Sequence, residues 1–300
     1  MKVLSICGGI ETGYLALKNV GISVEEYHTF EINENAIKVS KHHFPEIIHH
    51  GNLIGADFSQ FKGFDLVIGG TCCQSLSKTR IENKSYSAGL DGKSGIFFEY
   101  ARAIEEIKPK YWMLENVVPN KEDDLNRMNE ALGVQPVSIN SSMFSAQDRE
   151  RLYWANFEII PPTEDREGLR LMHILEDRSP DLFNYIINKP YEWHGIEKRV
   201  CATLQINTLD MLKRVYSPLF KAPTLTCVSG GYQEKKVWDC RYNAPRILTH
   251  LEYERLQTLP DGFTGGVGLT DTQRRSLCGN GWTLKVIEYI FEFMKKDLDK

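Results

Sequence analysis

The pattern that most restricts the fold is an alternation of short apolar runs with helical stripes over the first half of the chain. Val3-Leu4-Ser5-Ile6, Tyr27-His28-Thr29-Phe30, Ile47-Ile48-His49-His50, Phe64-Asp65-Leu66-Val67-Ile68 and Tyr111-Trp112-Met113-Leu114 read as strands. Short apolar runs bounded by turn residues suit buried parallel strands. Residues 14–20, 35–43, 96–107 and 123–132 read as helices, the third with apolar residues at 97, 100, 101, 104 and 107. Val137-Ser138-Ile139 and Leu152-Tyr153-Trp154-Ala155 add two further strands. Alternation to about residue 157 predicts an α/β chain with a doubly wound, mostly parallel sheet.

From Pro161-Pro162 the texture changes. Residues 163–245 carry Pro180, Pro190, Pro218, Pro223, Pro245 and Gly230-Gly231 among scattered aromatics, which predicts a smaller, loop-rich second domain. Residues 249–256 and 283–298 then read as helices, with Gly279-Asn280-Gly281 as the turn before the last one. The expected division is 1–162, 163–245 and 246–300, the final segment returning to the first domain. Basic and aromatic residues in the second part (Arg214, Tyr216, Lys221, Tyr232, Lys235, Lys236, Trp238, Arg241, Tyr242) could meet a phosphate backbone or form an ordinary solvated surface.

Composition bounds the function class only loosely. With 42% apolar and 25% charged residues over 300 positions, the chain can build one large domain or one plus a small one. A net charge of −4 argues against wholesale coating of nucleic acid and leaves a local basic cleft open. No signal peptide and no bilayer-spanning apolar stretch is expected, hence no membrane and a cytoplasmic setting. The seven cysteines form no Cys-x-x-Cys pair, so no metal site is expected and the thiols should be reduced.

The candidate chemistry sits at strand ends. After the run ending at Ile68 comes Gly69-Gly70-Thr71-Cys72-Cys73-Gln74. Paired glycines permit a sharp turn and close backbone approach to a ligand. A cysteine thereby lands at the carboxyl edge of a strand, where open α/β sheets bind ligands. It can be a nucleophile, a metal ligand or a plain loop residue. Cys7-Gly8-Gly9-Ile10-Glu11-Thr12-Gly13 follows the first strand, the arrangement that holds nucleotide-like ligands or serves packing. Glu31 closes the second strand, where an acid can accept from ribose hydroxyls or lie on the surface. The polar stretch 78–93 reads as a mobile segment able to close over a substrate.

Taken together, these segments resemble the cytosine-C5 DNA methyltransferase family in its compact bacterial or phage form. The resemblance rests on Phe64-Asp-Leu-Val-Ile-Gly-Gly-Thr-Cys-Cys-Gln, Leu114-Glu115-Asn116-Val117 and Gln147-Asp-Arg-Glu-Arg-Leu-Tyr-Trp. Further blocks are Arg246-Ile-Leu-Thr with Glu254-Arg-Leu-Gln-Thr-Leu-Pro-Asp, and Gly279-Asn-Gly-Trp, all in the family's order. It implies a Rossmann-like domain dependent on S-adenosylmethionine, with a small target-recognition domain. It also implies double-stranded DNA as partner, with the chain monomeric and the gene bacterial or phage-borne. Carbon 5 of cytosine is a poor nucleophile, and adding a thiolate at C6 makes the ring an enamine that can take a methyl group. By resemblance, Cys73 is that thiolate and Glu115 the acid near N3, where a raised pKa would suit it. Arg151 would orient the base, with Arg149 supporting the loop or Glu115. Two residues apart on a strand, the arginines should share a face. The base must be flipped from the duplex, with Gln74, Ser77 and Asn116 near the nucleotide.

For the donor, the resemblance assigns Glu31 to the ribose, Ile32 to the adenine face, and Gly9 and Ile10 to the methionine end. Asn52 and Leu53 would meet the adenine edge, and Ile96, Asn280 and Trp282 would complete the pocket. Three positions depart from the family pattern around that donor. Cys7 stands where a Phe packs, Asn52 where an Asp accepts, and Cys72 where a Pro stiffens the loop. Loss of the ring removes on the order of 1–2 kcal/mol of packing, and loss of the Pro less than about 1 kcal/mol. Because the departures cluster at the donor, two alternatives stay open. One is a related enzyme using a modified S-adenosylmethionine-like donor; the other is a non-catalytic DNA-binding homologue.

Overall fold

The computed structural model describes residues 1–73, 75–76, 88–177 and 180–299. Gln74 and Ser77, and with them most of the polar stretch read as a lid, lie outside the described residues. The chain forms two compact units. Unit 1 comprises Met1–Asn140, Glu150–Thr163 and Val286–Lys300, and unit 2 comprises Ser141–Arg149 and Glu164–Lys285.

Unit 1 is an α/β sandwich. In chain order it runs β1 (Lys2–Ile6), α1 (Thr12–Asn19), β2 (Glu26–Phe30), α2 (Glu34–His43), β3 (Ile48–His49) and β4 (Leu66–Gly70). It continues with α3 (Phe97–Ile107), β5 (Tyr111–Asn116), α4 (Glu122–Leu132) and β6 (Val137–Asn140). After β7 (Gln147–Asp148), which belongs to unit 2, comes β8 (Glu150–Ala155). The sheet order is β3-β2-β1-β4-β5-β8-β6. Strands β1 to β5 are mutually parallel, and β8 runs antiparallel to both β5 and β6. The central strands are buried on both faces, as their unbroken apolar runs require. Chain order reverses direction across β1 and β4, so the ends of those strands frame a crevice suited to ligands.

Local chemistry sets the element ends. Asn33 caps α2 by accepting from the amides of Asn35 and Ala36. Gly133 ends α4 in a left-handed conformation, φ 69°. Gly69 is glycine for a reason the sequence hides. It is the fourth residue of β4 rather than a turn, and a Cβ there would stand 2.7 Å from the Tyr100 ring of α3. Gly69 therefore serves helix–sheet packing, and both glycines lie in β4 rather than in the sharp turn expected of them.

Unit 2 holds β7, β9 (Tyr191–Trp193), β10 (Val200–Leu204), α5 (Asp210–Lys213), β11 (Arg214–Tyr216) and β12 (Ala222–Pro223). Next come β13 (Lys236–Asp239), β14 (Ala244–Ile247), α6 (His250–Leu256) and α7 (Asp271–Asn280). Its larger sheet has the order β14-β13-β11-β10-β9, and β12 pairs with β7. Cys201, Ala202, Leu204, Val215 and Trp238 form an apolar core there, and buried polar anchors add to it. Arg246, fully buried, meets Glu252 through both terminal nitrogens at 2.7 and 2.6 Å and Asp239 through Nε at 2.8 Å. Glu254, also buried, accepts from the amides of Gly262 (2.6 Å) and Thr264 (2.9 Å) and from Arg274 (2.8 Å).

Residues 246–285, assigned from sequence to a segment returning to the first domain, group with unit 2, as do 141–149. Helix α7 corrects another reading: Gly279 and Asn280 are its last residues, and Gly281 is the cap. It carries little apolar periodicity. A capping box between Thr270 and Gln273, and Arg275 donating to the Leu248 carbonyl at 3.0 Å, hold it instead. Helix α8 (Leu284–Leu298) enters unit 1 at Val286 and buries Val286, Ile287, Ile290, Phe291 and Met294, the stripe legible in the sequence.

Candidate active site

The loop after β4 is held from below. Gly69 and Gly70 of β4 sit in register with Leu114 and Glu115 of β5. One residue on, Asn116 donates from Nδ2 to the Thr71 carbonyl (3.3 Å) and hydroxyl (3.1 Å), while its Oδ1 accepts the Val117 amide at 2.8 Å. Asn116 is 1% exposed. Its amide is spent on protein, so it positions the loop rather than meeting substrate as expected. Farther along, the Ser75 amide donates to Ser94 Oγ (3.1 Å) and the Asn120 amide to the Leu76 carbonyl (3.0 Å). Cys73 lies between these anchors, half-buried, with one side packed on the core that also takes Cys7 and Ile96.

Beside the loop lies an ion pair. Glu115, the last but one residue of β5, is 8% exposed, and Arg151 of β8 places Nε 3.0 Å from its Oε1. Antiparallel pairing of Glu115 with Tyr153 brings Arg151 alongside. The expectation that Arg149 shares a face with Arg151 is not met. Arg149 falls between β7 and β8 and belongs to unit 2, so the two residues are not neighbours on one strand. Its buried guanidinium donates to the carbonyls of Leu225 (3.1 Å), Gly279 (3.4 Å) and Gly281 (3.0 Å). Two of these are carbonyls at the end of α7, where a cation is favoured; that of Gly281 also accepts from Gln257 Nε2 at 3.0 Å.

The carboxyl edge of β1 and β2 gathers the residues expected at a donor. Glu31 accepts the Gly9 amide through Oε2 (2.8 Å) and the Ile32 and Asn33 amides through Oε1 (2.8 and 2.7 Å). Ile32 stands 71% exposed beside it, and Gly9, at φ 60°, has no atom within 4 Å of where a Cβ would lie. Asn52 uses Oδ1 on the Ile54 amide at 3.0 Å. Ile10 and Leu53 are buried. Ile96 is half-buried against the same core. Asn280 and Trp282 lie in unit 2, where Asn280 Oδ1 accepts from Cys227 Sγ at 2.6 Å.

Cys7 and Cys72 are both half-buried. Cys7 adopts φ 56°, and its amide donates to the Phe30 carbonyl at 2.8 Å. Burial pushes its thiol up to about 12, with the negative charges of Glu31 and Cys72 adding to the rise. Cys7 packs against the apolar core of unit 1. The sequence reading passed over Glu11, a fully buried acid in the same turn; its signal was a Glu set among glycines.

The basic residues of the second part are less available than their composition suggests. Arg214 pairs with Asp210 (2.5 Å), Lys221 with Asp165 (3.0 Å) and Arg241 with Asp239 (2.7 Å). Lys236 is buried and donates to the carbonyls of Tyr232 and Glu234, and burial pushes it down to about 8. Among the described residues no helix is long and apolar enough to cross a membrane.

A model of the C-5 cytosine-specific DNA methylase family matches residues 1–296. The chain belongs to that family. Like it are an orphan methyltransferase of Bacillus phage SPR, 32% identical over 166 residues, and a type II methyltransferase of Lactococcus lactis subsp. cremoris, 28% identical over 318. The first match covers 51% of this chain and 37% of the phage protein; the second covers 98% and 77%. The methyltransferase EhMeth of Entamoeba histolytica has a similar structure, with TM-score 0.75 at 17% identity over 100% of this chain and 99% of that one. The doubly wound sheet of unit 1 is thus this methylase family's α/β fold.

Proposed function

We propose that this C5-methylase family member transfers a methyl group from S-adenosylmethionine to carbon 5 of a cytosine flipped out of double-stranded DNA. The observation that carries the reading is the convergence, in unit 1, of Cys73 past the end of β4 and the Glu115–Arg151 pair at the ends of β5 and β8. Cys73 would add through Sγ to C6 of the ring, forming a C–S bond and moving the electron pair toward N3. Glu115 would hydrogen-bond at N3 and stabilise that density, and Arg151 would keep Glu115 in place and orient the base. When C5 has been substituted, loss of its proton to a base and departure of Cys73 would restore the ring.

The donor-side residues fit an adenosyl group. An acidic residue ends β2, an apolar side chain stands exposed beside it, and the Gly9 backbone opens toward free space. Glu31, Ile32, Gly9 and Asn52 would hold the donor. Bound there, S-adenosylmethionine supplies an electrophilic methyl group on a sulfonium sulfur. Unit 2 would read the DNA sequence, and the protein would act as a monomer in a bacterial cytoplasm, with or without phage origin.

A second reading, a modified donor of the same class, is favoured by Cys7, whose small side chain leaves the family's aromatic contact unmade. Mass spectrometry of nucleosides from DNA incubated with protein and S-adenosylmethionine separates the readings. One added methyl on deoxycytidine supports the proposal. A product formed only with bacterial extract, carrying a different added mass, supports the second. DNA binding without any product supports a non-catalytic homologue.

A further inference from the structure

Glu11 is a fully buried carboxyl group in the glycine-bearing turn between β1 and α1. Its backbone is left-handed (φ 59°, ψ 41°), and its amide closes the turn onto the Gly8 carbonyl at 3.0 Å. The side chain does not cap α1. It folds under the turn instead: a Cβ on Gly8 would stand 2.1 Å from Glu11 Oε1. Tyr27 Oη donates to Oε2 at 2.9 Å, whereas Oε1 has no hydrogen-bond partner among the described residues.

Among the described residues, the groups that act on its charge include no counter-ion. Ser5 of β1, Tyr27 and Thr29 of β2, and the Glu31 carboxylate set the charge of Glu11, and no cation is among them. On α1 itself, Lys18 lies 5.3 Å from the Tyr14 ring centroid and reaches Glu46 at 4.0 Å. Burial pushes the Glu11 carboxyl up to about 7; the Thr29, Tyr27 and Ser5 hydroxyls oppose that rise, and Glu31 adds to it. A buried acid without a counter-ion is expensive as an anion, and a positive charge arriving nearby relieves that cost. The turn above it is the one whose Gly9 amide is tied to Glu31.

We propose that Glu11 is a charge-sensing positioning residue of the donor site, a role that rests on reading that site as one for S-adenosylmethionine. Its carboxyl gives a proton to solvent when a sulfonium cation lies over Gly8 and Gly9, and takes one back when the neutral thioether product replaces it. The cation thereby favours the ionised carboxyl, and the neutral product favours the protonated one. Once the methyl group has gone, reprotonation removes the mismatch between a buried anion and a neutral ligand.

Calorimetric titration of the full chain with S-adenosylmethionine and with S-adenosylhomocysteine tests this, at pH 6 and pH 8 and in two buffers of different ionisation enthalpy. The affinity ratio of sulfonium to thioether should rise about tenfold between those pH values in the wild type. In Glu11→Gln the ratio should stay flat, and sulfonium binding at pH 7 should release fewer protons than in the wild type. Tyr27→Phe removes the donor to Oε2 and should move the midpoint of the wild-type profile to higher pH. A flat wild-type ratio, or equal pH dependence in wild type and Glu11→Gln, overturns the proposal. If Glu11→Gln does not fold, an unmoved midpoint in Tyr27→Phe overturns it. Failure of both ligands to bind the wild type overturns the donor reading itself, and this proposal with it.

Discussion

Asn116 Nδ2 lies 3.1 Å from the Thr71 hydroxyl, so a residue at the end of β5 holds the start of the loop that carries Cys73 after β4. Both partners are buried. The bond therefore acts in a low-dielectric setting where an unmade partner is costly. Replacing Asn116 by Ala frees Thr71 and lets Cys73 drift by a fraction of an ångström. We expect kcat to fall about 100-fold, because small misplacement of a reacting group has that effect. Affinity for the DNA substrate, read by equilibrium binding, should stay within threefold.

The three cysteines near the strand ends should separate cleanly. Cys73→Ala is expected to abolish product, and Cys72→Ala to retain more than a tenth of the wild-type rate. Equal loss in both would remove Cys73 from the mechanism. Brief alkylation with iodoacetamide at pH 8, read by peptide mass spectrometry, should leave Cys7 unmodified. Its thiol, pushed up to about 12, is almost wholly protonated there, and only the thiolate reacts.

Gly69→Ala tests the packing account of β4. The new methyl group would meet the Tyr100 ring at 2.7 Å and the Ile6 carbonyl at 3.1 Å. Tyr100 is fully buried and cannot swing to solvent. A loss of about 1–3 kcal/mol in unfolding free energy is expected by denaturant titration. Adding Tyr100→Phe should recover little, since the clash is with the ring; adding Tyr100→Leu should recover most of it.

Unit 2 should be acid-sensitive at Asp239. Burial pushes this carboxyl up, but hydrogen bonds from Arg241 and Arg246 and the Arg246 charge outweigh that and hold it at about 2. A carboxyl lowered in the folded state adds stability above its unfolded value near 4, and that stability is lost as pH falls from there toward 2. Thermal unfolding between pH 5 and pH 2 should show this loss, and Asp239→Asn should flatten it. Arg246→Met leaves Glu252 buried without its cation, Asp239 keeping Arg241, and is expected to cost about 3–5 kcal/mol.

Much of unit 1 was legible because its signals are local. Apolar runs and helical stripes placed β1, β2, β4, β5, α2, α3 and α8 within a residue or two of their observed bounds. Periodicity of this kind follows from which face a backbone buries, and it needs no knowledge of the rest of the chain. Helix α7 was not legible, since capping and buried ion pairs hold it rather than an apolar stripe.

By itself, the sequence determined that Cys73 and Glu115 sit at the carboxyl ends of strands, since strand ends follow from apolar run length and turn residues; that the two strands are neighbours came from the tertiary structure. Only the tertiary structure decided what the buried polar groups do. Arg149 serves the carbonyls at the end of α7, Asn116 serves Thr71, Gly69 makes room for Tyr100, and Glu11 lies enclosed without a cation. Each such role is a contact between segments far apart in the chain. A hydrogen bond or a steric limit of that kind leaves no period in the sequence to read.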